Sequence, residues 1–97
     1  MPKSVMWQGL PKLVEETGEL QQVLGKLIAF PEGNLHPDGK GDLKARLEEE
    51  IGHVLAAIEY FTIFNGLDRG AMQYHGNVKL ELYKQWGLSG VPNPPVQ

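Results

Sequence analysis

The apolar residues of this chain recur at the spacing of an α-helix in two long segments, and this periodicity restricts the fold more than any other feature of the sequence. Apolar side chains lie three or four positions apart through residues 10–28 and again through residues 43–61, which lines one face of a helix. No segment shows the two-residue alternation of a strand, so we predict an all-α fold. The first stripe consists of Leu10, Leu13, Val14, Leu20, Val23, Leu24, Leu27 and Ile28, and the second of Leu43, Leu47, Ile51, Val54, Ile58 and Phe61.

Proline, glycine and a capping residue set the limits of these two helices. Proline disfavours helical conformation in the residue before it, so the first helix is expected to stop near Phe30-Pro31. Residues 31–42 contain two prolines and three glycines and are expected to form a loop longer than most helix connections. Asp42 is a suitable N-cap for the second helix, and Asn65-Gly66 is a suitable end.

A third helix is predicted from about Asp68 to Trp86, with a bend or split at Gly76-Asn77. We predict a single domain over residues 1–87, followed by an extended or disordered tail over residues 88–97, which is rich in glycine and proline. A chain of 97 residues buries a small share of its surface, so pairing with further copies as a homodimer or homotetramer is expected. The apolar residues of the third helix are Met72, Val78, Leu80, Leu82 and Tyr83.

The composition disfavours several classes of function. The chain has no cysteine, so carboxylates and imidazoles are its strong metal ligands. No run approaches the roughly 20 apolar residues of a membrane span and no signal-peptide pattern is seen, so a cytoplasmic protein without a membrane partner is expected. A net charge of −3 without a basic cluster disfavours binding to duplex nucleic acid but leaves a free nucleotide as a ligand.

Acidic residues interrupt both apolar stripes. On a helical wheel Glu16 falls inside the apolar arc of the first helix, and Glu50 falls inside that of the second. Glu19 and His53 each follow three residues later, so each pair shares one patch of helix surface. Carboxylates are costly to bury without a cation, and facing helices of bundles build metal sites from such pairs. The four residues therefore predict a site for Mg²⁺, with the imidazole shifting the preference toward Mn²⁺.

The same residues resemble the motifs of a known family. "EETGE" at Glu15 to Glu19 resembles the EExxE motif of the MazG-like nucleotide pyrophosphohydrolases, in the all-α NTP pyrophosphatase superfamily, and "EIGH" at Glu50 to His53 stands where that family has ExxD. The resemblance covers residues 7–86. It implies a MazG-like helical bundle completed by oligomerisation around a four-helix core, and an enzyme that uses Mg²⁺ or Mn²⁺ to hydrolyse a nucleoside triphosphate to a monophosphate and pyrophosphate.

Carried over residue by residue, the resemblance makes Glu15, Glu16, Glu19 and Glu50 the catalytic carboxylates. Glu16, Glu19 and Glu50 would be metal ligands, with His53 as the fourth. His53 departs from the family pattern, because an imidazole takes the place of an aspartate and brings no negative charge. This departure bears on the number and the kind of metal ions that the site would hold.

The resemblance also implies that basic residues of the third helix reach the phosphates. We expect Lys79 and Lys84 in this role, then Lys12, and after it Arg69. For the base we select Trp7 and Asn34, a flat ring and an amide. Family members of this compact size include bacteriophage enzymes that act on deoxynucleotides, some preferring dGTP, so a deoxypurine triphosphate is expected. The other rings and amides considered for the base are Phe30, Tyr60, Tyr74, Tyr83, Trp86 and Asn77.

Two alternatives follow from the same residues. A carboxylate-bridged di-iron or di-manganese bundle also uses Glu together with Glu-x-x-His, a signature that Glu50 and His53 satisfy once. A non-enzymatic helical module that binds nucleotide, or that uses its acidic patch to bind another protein, would fit a site in which a histidine replaces one carboxylate.

Overall fold

The described structure is entirely helical. The computed structural model describes residues 7–33 and 38–88. These ranges contain three helices, α1 (Leu10–Ala29), α2 (Leu43–Asn65) and α3 (Arg69–Leu88), and no strand, so the predicted all-α class is confirmed. None of the described helices has an apolar stretch long enough to cross a membrane. By internal contacts the chain divides into two compact units, residues 1–66 with α1 and α2, and residues 67–97 with α3.

The ends of α1 and α2 lie where the sequence predicts them. The N–H of Phe30 closes the last turn of α1 by donating to the carbonyl of Lys26 at 2.8 Å. The Asp42 side chain accepts from the N–H of Lys44 at 3.3 Å and caps α2. Gly66 ends α2 with a φ of 63°, a left-handed conformation that favours glycine. The local signals in the sequence therefore fixed these boundaries.

The third helix differs from its prediction. α3 runs without interruption through Gly76 and Asn77, so the predicted split at that pair is wrong, while a bend there stays a prediction. A glycine inside a helix costs only about 1 kcal/mol relative to alanine, which good helix formers on either side can offset. The side chains of residues 69–87 are exposed, apart from half-buried Trp86. The single domain over residues 1–87 stays a prediction. The tail was predicted from residue 88, but Leu88 is the last residue of α3, and residues 89–97 lie outside the described residues.

The hairpin of α1 and α2 places a carboxylate in its buried interface. Val23 of α1 and Leu43, Val54 and Ala57 of α2 are buried where the two helices meet, and Glu50 of α2 is only 8% exposed. Ile51 and Ile58 belong to the predicted stripe of α2 but are exposed. α2 is apolar on two sides, so periodicity alone did not show which side meets α1. The buried face is the one that contains Glu50.

The other apolar side of the hairpin is exposed. Each helix carries large apolar side chains at helical spacing that the α1–α2 contact does not bury. Clustered exposed apolar side chains of this kind commonly mark an interface with another protein surface. They are Leu10, Val14, Leu24 and Ile28 on α1, and Ile51, Leu55 and Ile58 on α2.

Candidate metal centre and its flanking pockets

Three side chains from the two helices converge in the middle of the hairpin. Glu16 projects from α1, and Glu50 and His53 project from successive turns of α2. One ligand atom from each lies within 4.8 Å of the others. His53 Nδ1 is 3.8 Å from Glu16 Oε1 and 3.6 Å from Glu50 Oε1. We call these three residues the trio. Within the described ranges they form a cluster with the spacing of a metal site.

The two carboxylates of the trio lack partners that their burial demands. Glu16 Oε1 and Glu50 Oε2 are both buried and neither has a hydrogen-bond partner. Burial raises the pKa of the Glu50 carboxyl above its ordinary value, the adjacent Glu16 and the charge of Glu19 raise it further, and His53 lowers it. Two ionised carboxylates repel each other and cannot hydrogen-bond, so a shared proton or a cation must compensate them. The trio therefore fits a divalent cation.

His53 is held between acidic groups on both of its ring nitrogens. Its Nδ1 faces Glu16 and Glu50, while Nε2 lies 3.8 Å from Glu49 Oε2, one turn back on α2. A carboxylate at one ring nitrogen favours the proton there and leaves the lone pair of the other nitrogen for a ligand bond. At 3.8 Å the contact with Glu49 is too long for a hydrogen bond, so Glu49 acts on His53 through its charge alone.

The remaining predicted acids lie on either side of the trio. Glu15 is exposed and accepts a hydrogen bond from Lys12 Nζ at 2.8 Å. This hydrogen bond raises the pKa of Lys12. Glu19 is half-buried and lies outside the trio, although its charge acts on Glu50. The structure thus brings together three of the four predicted metal ligands and sets Glu19 beside them.

A groove of about 760 Å³ opens from the trio toward the start of α1. Such a volume lies in the range of about 300–1,000 Å³ common for small-molecule sites. Tyr60 forms one wall, and its hydroxyl accepts a hydrogen bond from Gln8 Nε2 at 3.1 Å. The chain passes Tyr60 closely at Gly9, where a Cβ would lie 2.7 Å from the ring. The lining comprises Gly9, Pro11, Lys12, Glu15, Glu16, His53, Ala56, Ala57 and Tyr60.

A smaller pocket of about 270 Å³ lies toward the end of α1 and the start of α2. Its lining contains three cations and three acids, which are Lys26, Lys40 and Arg46 and Glu19, Glu49 and Glu50. Asp38, in the connecting loop, receives two hydrogen bonds of 3.2 Å from Arg46 and lies 3.5 Å from Lys26 Nζ.

The other predicted binding residues fall in different places. Trp7 stacks on Phe61 with ring centroids 5.7 Å apart and stays half-exposed beyond the start of α1. Asn34 lies outside the described residues. Lys79 and Lys84 are exposed on α3, which belongs to the other compact unit, so their role at the phosphates stays a prediction. The same holds for the remaining α3 candidates, which are Arg69, Tyr74, Asn77, Tyr83 and Trp86.

Sequence reasoning missed the smaller pocket and Glu49. A signal was present for two of the cations, because Arg46 precedes Glu50 by four residues and Lys26 follows Glu19 by seven. Helical spacing of this kind puts each cation on the face of the acid. Lys40 gave no such signal, because its position depends on the course of the loop.

Comparison with known proteins adds no assignment to this geometry. No family model, no curated protein and no solved structure matches the chain. The resemblance of "EETGE" and "EIGH" to the MazG-like motifs therefore stays a prediction.

Proposed function

We propose that this protein is a divalent-metal-dependent hydrolase that converts a nucleoside triphosphate to a nucleoside monophosphate and pyrophosphate. One observation carries the proposal: two buried carboxylate oxygens, Glu16 Oε1 and Glu50 Oε2, come from facing helices and have no partner. Such an arrangement is costly unless it holds a cation. The groove beside the trio has a volume in the range that accepts a nucleoside.

Glu16, Glu50 and His53 would hold the metal, and Glu19 is near enough to join or to orient it. A divalent ion bound there would neutralise phosphate charge and stabilise the charge on the departing pyrophosphate. An imidazole and two carboxylates suit Mn²⁺ as well as Mg²⁺.

The groove would hold the nucleoside. Its apolar wall of Ala56 and Ala57 and the ring of Tyr60 offer a surface for a base, and Gln8 holds that ring in place. In the reaction, a water oxygen forms a bond to the α-phosphorus and the bond from that phosphorus to the bridging oxygen breaks. The water proton passes to a nearby carboxylate and then to solvent. Glu15 lines the groove and is the carboxylate that we propose for this role. A deoxypurine triphosphate such as dGTP is the substrate that we favour.

Pyrophosphate release from a panel of ribo- and deoxynucleoside triphosphates, with Mg²⁺ or Mn²⁺, tests the proposal. We expect release from at least one nucleotide. Glu16→Gln and Glu50→Gln should each lower the rate by about 100-fold or more, because each removes a ligand charge while keeping the shape of the side chain.

Glu48→Gln is the matched control, since Glu48 is exposed on α2 and lines neither pocket. It removes the same charge and should retain the wild-type rate. Circular dichroism of each variant checks that the helices are intact. Intact triphosphate throughout the panel with both metals would reject the hydrolase.

A nucleotide-binding module without turnover is the second candidate. His53 stands in place of a carboxylate, and Glu19 lies outside the trio, so the centre has less negative charge than four acidic ligands would supply. Nucleotide binding that depends on Glu50, without pyrophosphate release, would favour this module. A di-iron site within one chain requires a second Glu-x-x-His pair, which Glu16 and Glu19 do not provide, so only a dimer that shares its ligands would supply one.

We propose that the protein works as a homodimer or homotetramer with a four-helix core. The exposed apolar residues on α1 and α2 support this assembly, because the hairpin by itself leaves them in water. Light scattering that gave the 10.8 kDa mass of one chain would contradict it.

A further inference from the structure

His53 differs in its chemistry from the other two members of the trio. Glu16 and Glu50 offer carboxylate oxygens, whereas His53 offers an imidazole nitrogen. Oxygen ligands alone suit Mg²⁺, while an imidazole is a common ligand of transition metals such as Fe²⁺, Ni²⁺ and Zn²⁺. The class of metal ion that the trio selects therefore depends on whether a nitrogen of His53 contacts the ion.

The distances within the trio allow Nδ1 of His53 to be a direct ligand. A bond from such an ion to nitrogen or oxygen is about 2.0–2.2 Å long, so two ligands of one ion lie at most about 4.4 Å apart. Nδ1 of His53 is 3.8 Å from Glu16 Oε1 and 3.6 Å from Glu50 Oε1. Both separations are below this limit, so one ion can contact the nitrogen and either oxygen at ordinary bond lengths.

An ion pair with a protonated His53 accounts less well for the two carboxylates. Both distances from Nδ1 are too long for a hydrogen bond. The His53 side chain is 48% exposed, and water weakens an ion pair at such a position. Glu50 is only 8% exposed, and its Oε2 has no hydrogen-bond partner. The buried oxygen therefore points to a ligand that neither His53 nor water supplies.

The position of the trio also resembles that of a transition-metal centre more than that of a Mg²⁺ site. Glu16 and His53 line the groove, so an ion bound at the trio is open to the groove on one side. Three protein ligands with one open position are typical of catalytic zinc centres. Mg²⁺ usually keeps several waters and is held by one or two carboxylates together with substrate phosphates.

We infer that the trio binds a divalent first-row transition-metal ion in preference to Mg²⁺, with Nδ1 of His53 as the direct ligand that sets this preference. This inference rests on the proposed metal-dependent hydrolase and deepens it, because it names the class of its cofactor. Affinity should rise from Mn²⁺ to Co²⁺, the usual order at sites with nitrogen and oxygen ligands. His53→Asp, which makes every ligand of the trio an oxygen, should narrow the preference.

Calorimetric competition between Co²⁺ and Mg²⁺ for the full chain, without nucleotide, tests the inference. The wild type should bind Co²⁺ about 100-fold or more tightly than Mg²⁺. His53→Asp should narrow this ratio by about tenfold or more, because it removes the nitrogen ligand. His53→Gln should narrow it as well and adds no charge to the cluster, so it serves where a third carboxylate prevents folding. Circular dichroism checks the helices of each variant.

A second measurement shows whether the imidazole touches the ion. In protein labelled at the histidine nitrogens, Zn²⁺ should shift the magnetic resonance signal of Nδ1 of His53, which is assigned by its absence in His53→Gln. His75→Asp is the matched control, because His75 is an exposed histidine on α3 that is outside the trio. This variant should keep the wild-type ratio of Co²⁺ to Mg²⁺ affinity, and Zn²⁺ should leave the His75 signals of the wild type in place.

The outcomes separate this inference from the proposed function. A ratio that falls in the His53 variants but not in His75→Asp supports the inference even if no nucleotide is hydrolysed, a result that would reject the hydrolase alone. Equal affinity of the wild type for Co²⁺ and Mg²⁺ overturns the inference and leaves a Mg²⁺-dependent hydrolase in place. An unmoved His53 signal at saturating Zn²⁺ also overturns it, because the imidazole would then be a neighbour of the ion and not its ligand. A protein that binds no divalent cation contradicts both.

Discussion

The polar groups at the two ends of the α1–α2 hairpin have hydrogen-bond partners, whereas two buried carboxylate oxygens in its middle have none. At one end, the N–H and carbonyl of Gln8 form hydrogen bonds of 3.0 and 2.8 Å with the Asn65 side chain. At the other end, Asp38 of the loop binds Arg46 of α2, and the carbonyl of Gly33 accepts from the N–H of Lys44 at 2.9 Å. In the middle, Glu16 and Glu50 each bury an oxygen without a partner.

This difference separates the residues that stabilise the hairpin from the residues that form its candidate binding site. Paired polar groups at the ends fix the position of one helix on the other, and their loss would cost stability. Unpaired carboxylates in the middle reduce the stability of the metal-free protein, so packing does not explain them. Departures from the rules of stable packing are expected at functional sites. The middle of the hairpin therefore has the character of a binding site.

The largest effect is expected at an end of the hairpin, from Gly9→Ala. Gly9 has a φ of 85°, and a Cβ there would lie 2.7 Å from the Tyr60 ring. We expect the free energy of unfolding to fall by about 3 kcal/mol, from the strained backbone together with the displaced ring. Denaturant unfolding measures it.

Gly18→Ala is the control, because Gly18 lies inside α1 with open space around its Cα. It should raise stability by up to about 1 kcal/mol, the usual gain in helix propensity. A Gly9→Ala variant as stable as the wild type would show that the contact with Tyr60 does not fix the start of α1.

The sequence predicted much of this arrangement, and the reasons differ between the ends and the middle. Asp42, Gly66 and Phe30-Pro31 act on their own neighbours, so the ends of α1 and α2 were readable from local chemistry. Glu16 and Glu50 were found because an acid inside an apolar stripe conflicts with burial.

Other features depended on contacts between distant parts of the chain. Asp38 contacts Lys26 of α1 and Arg46 of α2, and Lys40 lines the smaller pocket near them, which depends on the path of the chain outside the helices. Nothing in helical periodicity encodes that path. The exposure of Ile51 and Ile58 was missed because both apolar sides of α2 have the same period.

A divalent cation should stabilise the middle of the hairpin by the next largest amount. Binding to the folded state alone at 100 times the dissociation constant raises the free energy of unfolding by about 2.7 kcal/mol. Thermal melts with and without Mn²⁺ should therefore show a clear upward shift for the wild type. In Glu50→Gln the shift should be mostly lost, because the trio has lost a ligand charge.

Glu48→Gln should keep the full shift, because Glu48 is exposed and outside the trio. Equal shifts in Glu50→Gln and the wild type would place the bound cation elsewhere and would remove the distinction between the middle and the ends.

The smallest effect concerns pH in the metal-free protein. Burial, then the adjacent Glu16, raises the pKa of Glu50 above the ordinary value of 4.5, so the folded state keeps a proton that the unfolded state releases. The contribution of this group to stability is therefore fully present below pH 4.5 and is lost as pH rises through the folded-state pKa.

Other carboxylates change stability with pH as well, so the wild type must be compared with Glu50→Gln by chemical denaturation across this window. The variant should gain stability relative to the wild type as pH rises, and the difference should level off above the folded-state pKa of Glu50. Mn²⁺ should reverse the trend in the wild type alone, because metal binding competes with protons for the carboxylates and strengthens as they ionise. Parallel pH profiles for the two proteins would mean that Glu50 pays no penalty for its burial, and the contrast between middle and ends would then have no energetic basis.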